Sequence, residues 1–352
     1  MKDRTKFLLM CLAHFVADGA AVATLYKITQ DIYTTAIAVI LYDILAFTVQ
    51  PLLGIMTDFK KVASLFLVSG LLLIAFGSFI SFIGIVAQAV FLGFGNALAH
   101  VGGFAIAKSA SKDDMTSLGL FVAPGALGVG IGTLFPEVSV ALAILSAIVA
   151  LIYALYYFFG KERIFVPVVS LKKPDVFRVD WVLLSVVLIV VLLRGFCGTI
   201  ATGQYIVSGT SGQLAIYLAI FLGKAVGGFL ADRIGIVRIT MVGFFPSLIG
   251  LVFFRDVEIL YVFSIFLFNF TMPLTLFMAI RALRGFPVFA FGMTAAILFL
   301  GTYVGDWLKN VFRAPWYLIL ALLAISVCGI VYSYQRTVKN IQREKGGLSN
   351  VS

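Results

Sequence analysis

Histidine, cysteine and charged side chains are all scarce in this chain of 352 residues, which contains two histidines, three cysteines and 12% charged residues. The histidines, His14 and His100, form no HExxH pattern, and the cysteines form no CxxC pair. A local zinc motif and a disulfide framework are therefore both absent from the pattern. We expect no resident metal and no cofactor.

The sequence also does not indicate a nucleotide-binding site. The stretch "GVGIGT" (128–133) resembles a phosphate-binding glycine loop only superficially, because it lies inside an apolar run and no Lys-Ser/Thr pair follows it. With no catalytic motif elsewhere, we predict that the protein is not an enzyme.

Hydrophobic residues make up 62% of the chain, whereas charged residues are about half as frequent as in soluble domains. The apolar runs are continuous rather than alternating, which favours membrane helices of roughly 20 residues over a β-barrel. We predict an all-α polytopic membrane protein with twelve transmembrane helices. The predicted spans are approximately 7–27, 32–56, 64–82, 84–107, 116–135, 138–159, 181–208, 212–231, 239–254, 258–281, 286–308 and 315–335.

The formal net charge of +10 reflects membrane topology rather than nucleic-acid binding. If the N-terminus is cytoplasmic, 20 of the 26 lysines and arginines fall in the termini and the loops on that side, against 4 on the opposite side and 2 within spans. This asymmetry follows the positive-inside rule. It predicts a multi-pass protein of the cytoplasmic membrane with both termini in the cytoplasm, in contact with membrane lipid and not with nucleic acid.

The chain contains an internal duplication. Two apolar runs end alike, in "QPLLGIMTD" (50–58) and "KAVGGFLAD" (224–232), with a glycine four residues before an aspartate. A similar offset pairs Asn96 with Asn269. Because the longest polar connection lies midway, we predict four regions. They are an N-terminal six-helix bundle (1–159), a cytoplasmic linker (160–180), a C-terminal six-helix bundle (181–335) and a cytoplasmic tail (336–352).

The second copy, "GGFLADRIGIVRIT" (227–240), resembles the loop signature of the major facilitator superfamily. The first copy has Phe59 in place of the signature arginine. Two further stretches, "GFGNALAHVGGFAIAKSA" (93–110) and "GLFVAPGALGVGIGTLF" (119–135), loosely resemble the fosmidomycin-resistance-type efflux branch. The resemblance implies two pseudo-symmetric six-helix bundles, alternating access as a monomer, and antiport that exports its substrate. The expected gating residues are Gly54, Asp58, Gly228, Asp232, Arg233, Gly235 and Arg238.

Glycine at positions 54 and 228 allows two helices to approach closely. The aspartate four residues later can then face the positive end of a neighbouring helix. In the fifth span we expect Gly128 and Gly132 as the packing partners, and in the eleventh span Gly301 and Gly305.

Ionisable side chains inside a membrane are costly and normally face a cavity or a partner. We predict that the proton-coupling residues are among His14, Asp18, Asp43 and His100. His14 and Asp18 share a helical face, so they can instead satisfy each other, and His100 can instead serve as an interhelical hydrogen-bond partner.

The substrate-binding candidates are Arg194, Lys224, Asn96 and Asn269. Arg194 and Lys224 both lie in the C-terminal half and suit an anionic group. Alternatively, these two cations neutralise Asp18 and Asp43 as a structural ion-pair set.

These features predict a secondary active transporter that moves a small organic solute, anionic or amphipathic, by alternating access with proton coupling. Two alternatives stay open. One is a lipid or lysolipid flippase of the same fold, and the other is a non-transporting sensor or assembly subunit.

Overall fold

The computed structural model describes residues 3–28, 32–159, 179–202, 209–254, 256–309, 311 and 314–348. Its secondary structure is helical apart from short turns and one isolated bridge, Val179 to Leu283. Eleven helical segments within these ranges are long and apolar enough to cross a membrane, and a shorter apolar helix spans Ala63–Phe79. The prediction of twelve membrane-spanning helices is confirmed.

The first six spans contain seven α-helices. They are α1 (Asp3–Ile28), α2 (Ile32–Asp43), α3 (Gln50–Phe59), α4 (Ala63–Phe79), α5 (Ile85–Ser109), α6 (Met115–Leu134) and α7 (Ser139–Phe159). Helices α2 and α3 belong to one span, which a π-helical turn at Ile44–Thr48 interrupts.

The last six spans also contain seven α-helices. They are α8 (Trp181–Thr202), α9 (Gly209–Ile234), α10 (Ile236–Phe253), α11 (Glu258–Phe268), α12 (Met272–Ala282), α13 (Pro287–Lys309) and α14 (Trp316–Leu348). A 3-10 turn at Asn269–Thr271 separates α11 from α12, which together form one span. Pro273 follows that turn at the start of α12, where its missing N–H leaves no helical bond unmade.

The helices pack first within each half of the chain. Helix α1 lies against α5, α6 and α7, and α8 lies against α12, α13 and α14. The halves meet where α6 packs along α9 and where α3 packs along α13. The division into bundles at 1–159 and 181–335 stays a prediction, because most of the predicted linker, residues 160–178, lies outside the described residues.

The predicted tail, 336–352, begins inside the last helix, and its assignment as a separate region stays a prediction. Helix α14 continues without a break to Leu348, and Thr337 is buried. Residues at the start of the predicted tail are therefore a packed extension of the last helix.

Asp180 fixes the start of α8 to this extension. Its carboxylate accepts hydrogen bonds from Arg336 Nε at 2.7 Å, from Asn340 Nδ2 at 2.8 Å and from the Leu183 N–H at 3.0 Å. Burial alone would raise the pKa of Asp180, but the hydrogen bonds from Arg336, Leu183 and Asn340 favour the charged carboxylate and hold its pKa below the ordinary value.

We predict that Asp180→Asn lowers the thermal unfolding midpoint in detergent at pH 7, by the equivalent of up to about 1 kcal/mol for a partly exposed ion pair. A lowered native pKa stabilises the fold above the unfolded-state pKa, about 3.9, and that contribution disappears as the pH falls through the native pKa. The gap between variant and wild type should thus be full at pH 5 and above and should narrow below pH 4. Asp256→Asn, at an exposed site, is the control and should show no such gap. If the difference in unfolding midpoint between Asp180→Asn and wild type did not change with pH, the charged Asp180 carboxylate would not be what stabilises the fold.

Candidate functional site

Both aspartates of the duplicated motif cap a helix of the opposite half. Asp58 accepts hydrogen bonds from the N–H groups of Val288 at 3.2 Å and Phe289 at 2.8 Å, in the first turn of α13. Because the first amides of a helix have no intrahelical partner and carry partial positive charge, a carboxylate from another helix satisfies them well. This contact and its counterpart below are called here the two aspartate caps.

The second cap repeats the first in the other direction. Asp232, near the end of α9, accepts bonds from the N–H groups of Met115 at 3.2 Å and Thr116 at 2.7 Å, and from the Thr116 hydroxyl at 2.6 Å. Both caps lie at the face where α1 begins and α14 ends, here called the terminal face. Each cap joins the two halves of the chain there.

The glycines of the motif let each pair of helices approach to backbone contact. A Cβ at Gly54 would lie 2.6 Å from the carbonyl oxygen of Val288, and one at Gly228 would lie 2.9 Å from the carbonyl carbon of Met115. The expected helices, fifth and eleventh, are the correct partners, but the expected glycines are not.

Those glycines pack elsewhere. Gly128 and Gly132 lie against α1, where Cβ atoms would meet Phe15 and Gly19, whereas Gly301 and Gly305 lie against α8. They hold helices together within each half rather than between halves, because they sit well inside α6 and α13 and not in the first turn, which the aspartate caps contact.

The remaining signature residues shape the turn after α9. Gly235 has φ 93° at the N-cap of α10, a backbone conformation that favours glycine. The Arg233 guanidinium lies 4.0 Å from the ring centre of Phe229, and Arg238 is exposed. In the first copy the equivalent turn contains Lys61, and none of the described non-glycine residues has positive φ. The first copy has Lys61 where the second copy has Gly235, and it therefore forms a different turn.

Other contacts join the halves at the terminal face. Asp113, between α5 and α6, forms ion pairs with Lys108 of its own half and with Arg281 of the other half, the latter at 2.8 Å. Deeper in the interface, Phe104 and Phe291 stack with ring centres 4.3 Å apart. Together with the caps, these contacts close the terminal face.

A buried polar cluster lies between α1, α5 and α6. His14 Nε2 is 3.4 Å from Asp18 Oδ2, and His100 Nε2 is 3.4 Å from Asp18 Oδ1. Asn96 donates a hydrogen bond to Asp18 Oδ1 at 2.8 Å. His14, Asp18 and His100 are called here the histidine–aspartate triad. Their side chains are all largely buried.

The outer ring nitrogens of the triad contact backbone carbonyls. His14 Nδ1 is 2.8 Å from the carbonyl oxygen of Phe121 on α6, and His100 Nδ1 is 2.9 Å from that of Asn96 on its own helix. The two imidazole rings meet edge to face, with centres 4.3 Å apart. Both alternatives that the sequence left open describe part of this geometry, since His14 contacts Asp18 and His100 reaches across to another helix.

Asp43 lies apart from the triad. It is the last residue of α2, half-buried, and directly precedes the π-helical turn. Among the described residues its carboxylate makes no hydrogen bond and no ion pair within 4 Å. It is thus a carboxylate placed at an interruption in a membrane helix.

The two cations of the C-terminal half lie near the triad without pairing with it. Arg194 is buried, its Nη1 is 3.3 Å from the sulfur of Met272, and its Nε has no hydrogen-bond partner in the described part of the chain. Lys224 is within electrostatic range of Arg194, Asp18 and His100. Within the described ranges neither cation forms an ion pair shorter than 4 Å, so the structural ion-pair alternative is not realised there.

The paired asparagines occupy different environments. Asn96 joins the triad, but Asn269 donates to the carbonyl oxygen of Ile265 on its own helix at 2.9 Å and packs against Gly223. The two asparagines therefore occupy equivalent positions in the duplicated halves but make different contacts.

Gly125 is a site residue that sequence reasoning missed. It lies on α6, and a Cβ there would overlap His14 and Asp18, with the ring Cδ2 of His14 at 2.7 Å. Its position after Pro124 was visible in the sequence, but only the packing of α6 on α1 shows its role.

Comparison with known proteins agrees with this architecture. No family description matches the sequence, and no curated protein is detectably similar to it. Among solved structures, the fold is similar to a single-substitution variant of the fucose:proton symporter FucP of E. coli. The TM-score is 0.67 and the sequence identity 12%, over 95% of this chain and 99% of that chain.

The chain has the major facilitator fold. At 12% identity the likeness establishes the fold alone and does not support the fosmidomycin-resistance-type branch in particular.

We predict that Gly125→Ala destabilises the protein by about 1–3 kcal/mol, because the added methyl group overpacks the triad. Gly103→Ala is the matched control, since a Cβ there would meet its nearest neighbour, Leu67, at an ordinary 3.7 Å. Thermal unfolding in detergent compares the two variants with wild type. Equal midpoints for both variants would show that α6 does not press on the triad.

Proposed function

We propose that this protein is a secondary active transporter that moves a small organic solute across the cytoplasmic membrane by alternating access. The observation that carries the proposal is the pair of aspartate caps at one face, each joining a carboxylate of one half to a helix of the other. Such contacts hold one face closed and must break for that face to open.

The proposed substrate is anionic or amphipathic with an anionic group. Arg194 supports this choice because its guanidinium is buried and has an unpartnered Nε, which is costly unless a ligand completes its hydrogen bonds. Lys224 adds a second positive charge close by. Asn96 and Asn269 are the remaining proposed contacts, Asn269 because it packs on the helix of Lys224.

Proton coupling is proposed mainly through Asp43, whose carboxylate is half-buried and lacks a close partner in the described part of the structure. FucP is named as a proton symporter, which supports coupling but not its direction. That His14, Asp18 and His100 carry protons stays a prediction. Export by antiport also stays a prediction, resting on the looser sequence likeness.

The proposed orientation places the terminal face in the cytoplasm, since most basic residues fall on that side. With both aspartate caps formed, this structure is closed to the cytoplasm. We propose that the protein functions as a monomer, as the fold allows. A flippase would use the same motion on a lipid cargo, and a sensor would use none.

We predict that organic anions raise the thermal unfolding midpoint of the purified protein by mass action, whereas cations of similar size do not. The panel contains anions, cations and neutral amphiphiles at two pH values. Arg194→Gln should abolish stabilisation by anions, and Lys224→Gln should weaken it. Asp43→Asn should remove any dependence of that stabilisation on pH.

Lys309→Gln is the matched control for charge removal, because Lys309 pairs with Asp306 near the opposite face. If only cations or neutral amphiphiles stabilise wild type, the anionic substrate is refuted and a lipid or cationic cargo replaces it.

We predict that Asp232→Asn opens the terminal face. Replacing the carboxylate weakens charge-assisted hydrogen bonds at an exposed site, which together are worth roughly 1 kcal/mol after solvent screening, so the open population should rise about fivefold. The probe is Ala123→Cys in a background without native cysteines, because Ala123 is buried and lies one helical turn from Gly119, which packs on α9. A membrane-impermeant thiol reagent is applied from the cytoplasmic side.

Asp256→Asn in the same background serves as the control and should leave the labelling rate unchanged. If the wild-type probe is never labelled from either side, and Asp232→Asn changes nothing, the protein is static and the sensor alternative holds.

A further inference from the structure

We propose that the histidine–aspartate triad, His14, Asp18 and His100, binds a divalent transition-metal ion of the zinc class. The inference goes beyond the proposed transport function and does not depend on it, because a static bundle with the same side chains would bind the ion equally well. The sequence predicted no metal only because it contains no HExxH or CxxC motif. The fold brings both histidines of the chain to one carboxylate.

The three ligand atoms lie close to, but somewhat wider than, the separations that a tetrahedral metal requires. The two Nε2 atoms are each 3.4 Å from a different oxygen of Asp18, and the three chosen ligand atoms all lie within 4.8 Å of one another. Ligands at about 2.0–2.1 Å from zinc in a tetrahedron are about 3.3–3.4 Å apart. An ion can therefore contact two imidazoles and a carboxylate with small movements.

The outer hydrogen bonds fix the tautomer that a metal needs. A backbone carbonyl oxygen only accepts, so Nδ1 of His14 and Nδ1 of His100 each carry the hydrogen that they donate to Phe121 and Asn96. In the neutral imidazoles both Nε2 atoms then present lone pairs toward Asp18. Imidazole ligands of metals are oriented in this way by a carbonyl or carboxylate behind the ring.

With both imidazoles neutral, the arrangement is unfavourable without a positive ion. Two nitrogen lone pairs and a carboxylate are then all acceptors, and Asn96 donates directly to Asp18. The ion that satisfies them is either a proton on one Nε2, which would then donate to Asp18, or a metal. A dication between them satisfies all three at once and suits imidazole better than Mg²⁺ or Ca²⁺, which prefer oxygen ligands. Asn96 completes the second layer of contacts by holding the carboxylate in place.

Lys224 is the charge that opposes binding, because it acts on the triad from α9. Three protein ligands also leave one coordination position for a water molecule or an anion. A site of this kind binds exchangeably rather than as a closed structural centre. Lys224→Gln should therefore strengthen metal binding, which distinguishes the triad from an adventitious surface site.

The test uses the full-length protein in detergent, purified with an affinity tag that contains no histidine. Titration with Co²⁺ should give the visible absorption bands of a tetrahedral nitrogen and oxygen site, saturating at one ion per chain, and Zn²⁺ should displace it whereas Mg²⁺ should not. His100→Ala and His14→Ala should lose the bands. Asn96→Ala should weaken affinity about 10–100-fold, as for other outer-layer residues.

Cys11→Ser is the matched control, because Cys11 lies on the same helix as His14 and its thiol contacts a backbone carbonyl. It should leave the bands unchanged. If the histidine variants do not fold, X-ray absorption of the zinc-loaded wild type decides, with two imidazoles and no sulfur expected. Absence of saturable binding, sulfur ligation, or bands that survive His100→Ala in folded protein would overturn the proposal. None of these outcomes depends on whether the protein transports an anion.

Discussion

The unpaired amides at the start of a membrane helix are the constraint on which this structure depends. The first amides of a helix have no partner within that helix and must be satisfied by side chains, by water or by a ligand. Two helices, α6 and α13, receive that partner from the opposite half, as the carboxylates of Asp232 and Asp58. The same contacts that complete these helices therefore also hold the halves together, and breaking them exposes two helix ends at once.

The duplication explains why the two caps match. Each motif places a glycine one turn before the aspartate, so the helices can meet at backbone distance and the carboxylate can reach the first amides. A side chain at either glycine would separate the helices and pull the carboxylate away. Each half contributes one carboxylate and one helix end, so the two caps match in their backbone contacts. They differ in surroundings, because Asp58 is buried whereas Asp232 is exposed and also accepts from the Thr116 hydroxyl.

The sequence predicted the twelve spans closely, since hydropathy and length decide them locally. The sixth span, for example, was expected at 138–159 and is Ser139–Phe159. It also predicted that an aspartate would face a helix end, because the spacing of glycine and aspartate is local too. It did not predict that Val288 and Met115, rather than the interior glycines, would receive those contacts, since the rotation and register of two helices are set by the packing of many side chains. For the same reason the sequence did not predict that His100 contacts Asp18 or that the second span is interrupted after Asp43.

The separation of charges inside the bundle supports the proposal of coupled transport of an anion. Asp18 and Asp43 belong to one half, Arg194 and Lys224 to the other, and the cations reach neither carboxylate within ion-pair distance among the described residues. Closing such an interior over charges that have no ion pair between the halves is costly, because each charge loses water without gaining an opposite charge from the other half. A positive ion at the acidic side and an anion at the basic side together remove that cost, whereas either alone leaves one charge uncompensated. In the proposed transport cycle, the two halves would then change which face is closed most readily when both sites are filled or both are neutralised. That is the condition for coupling two fluxes.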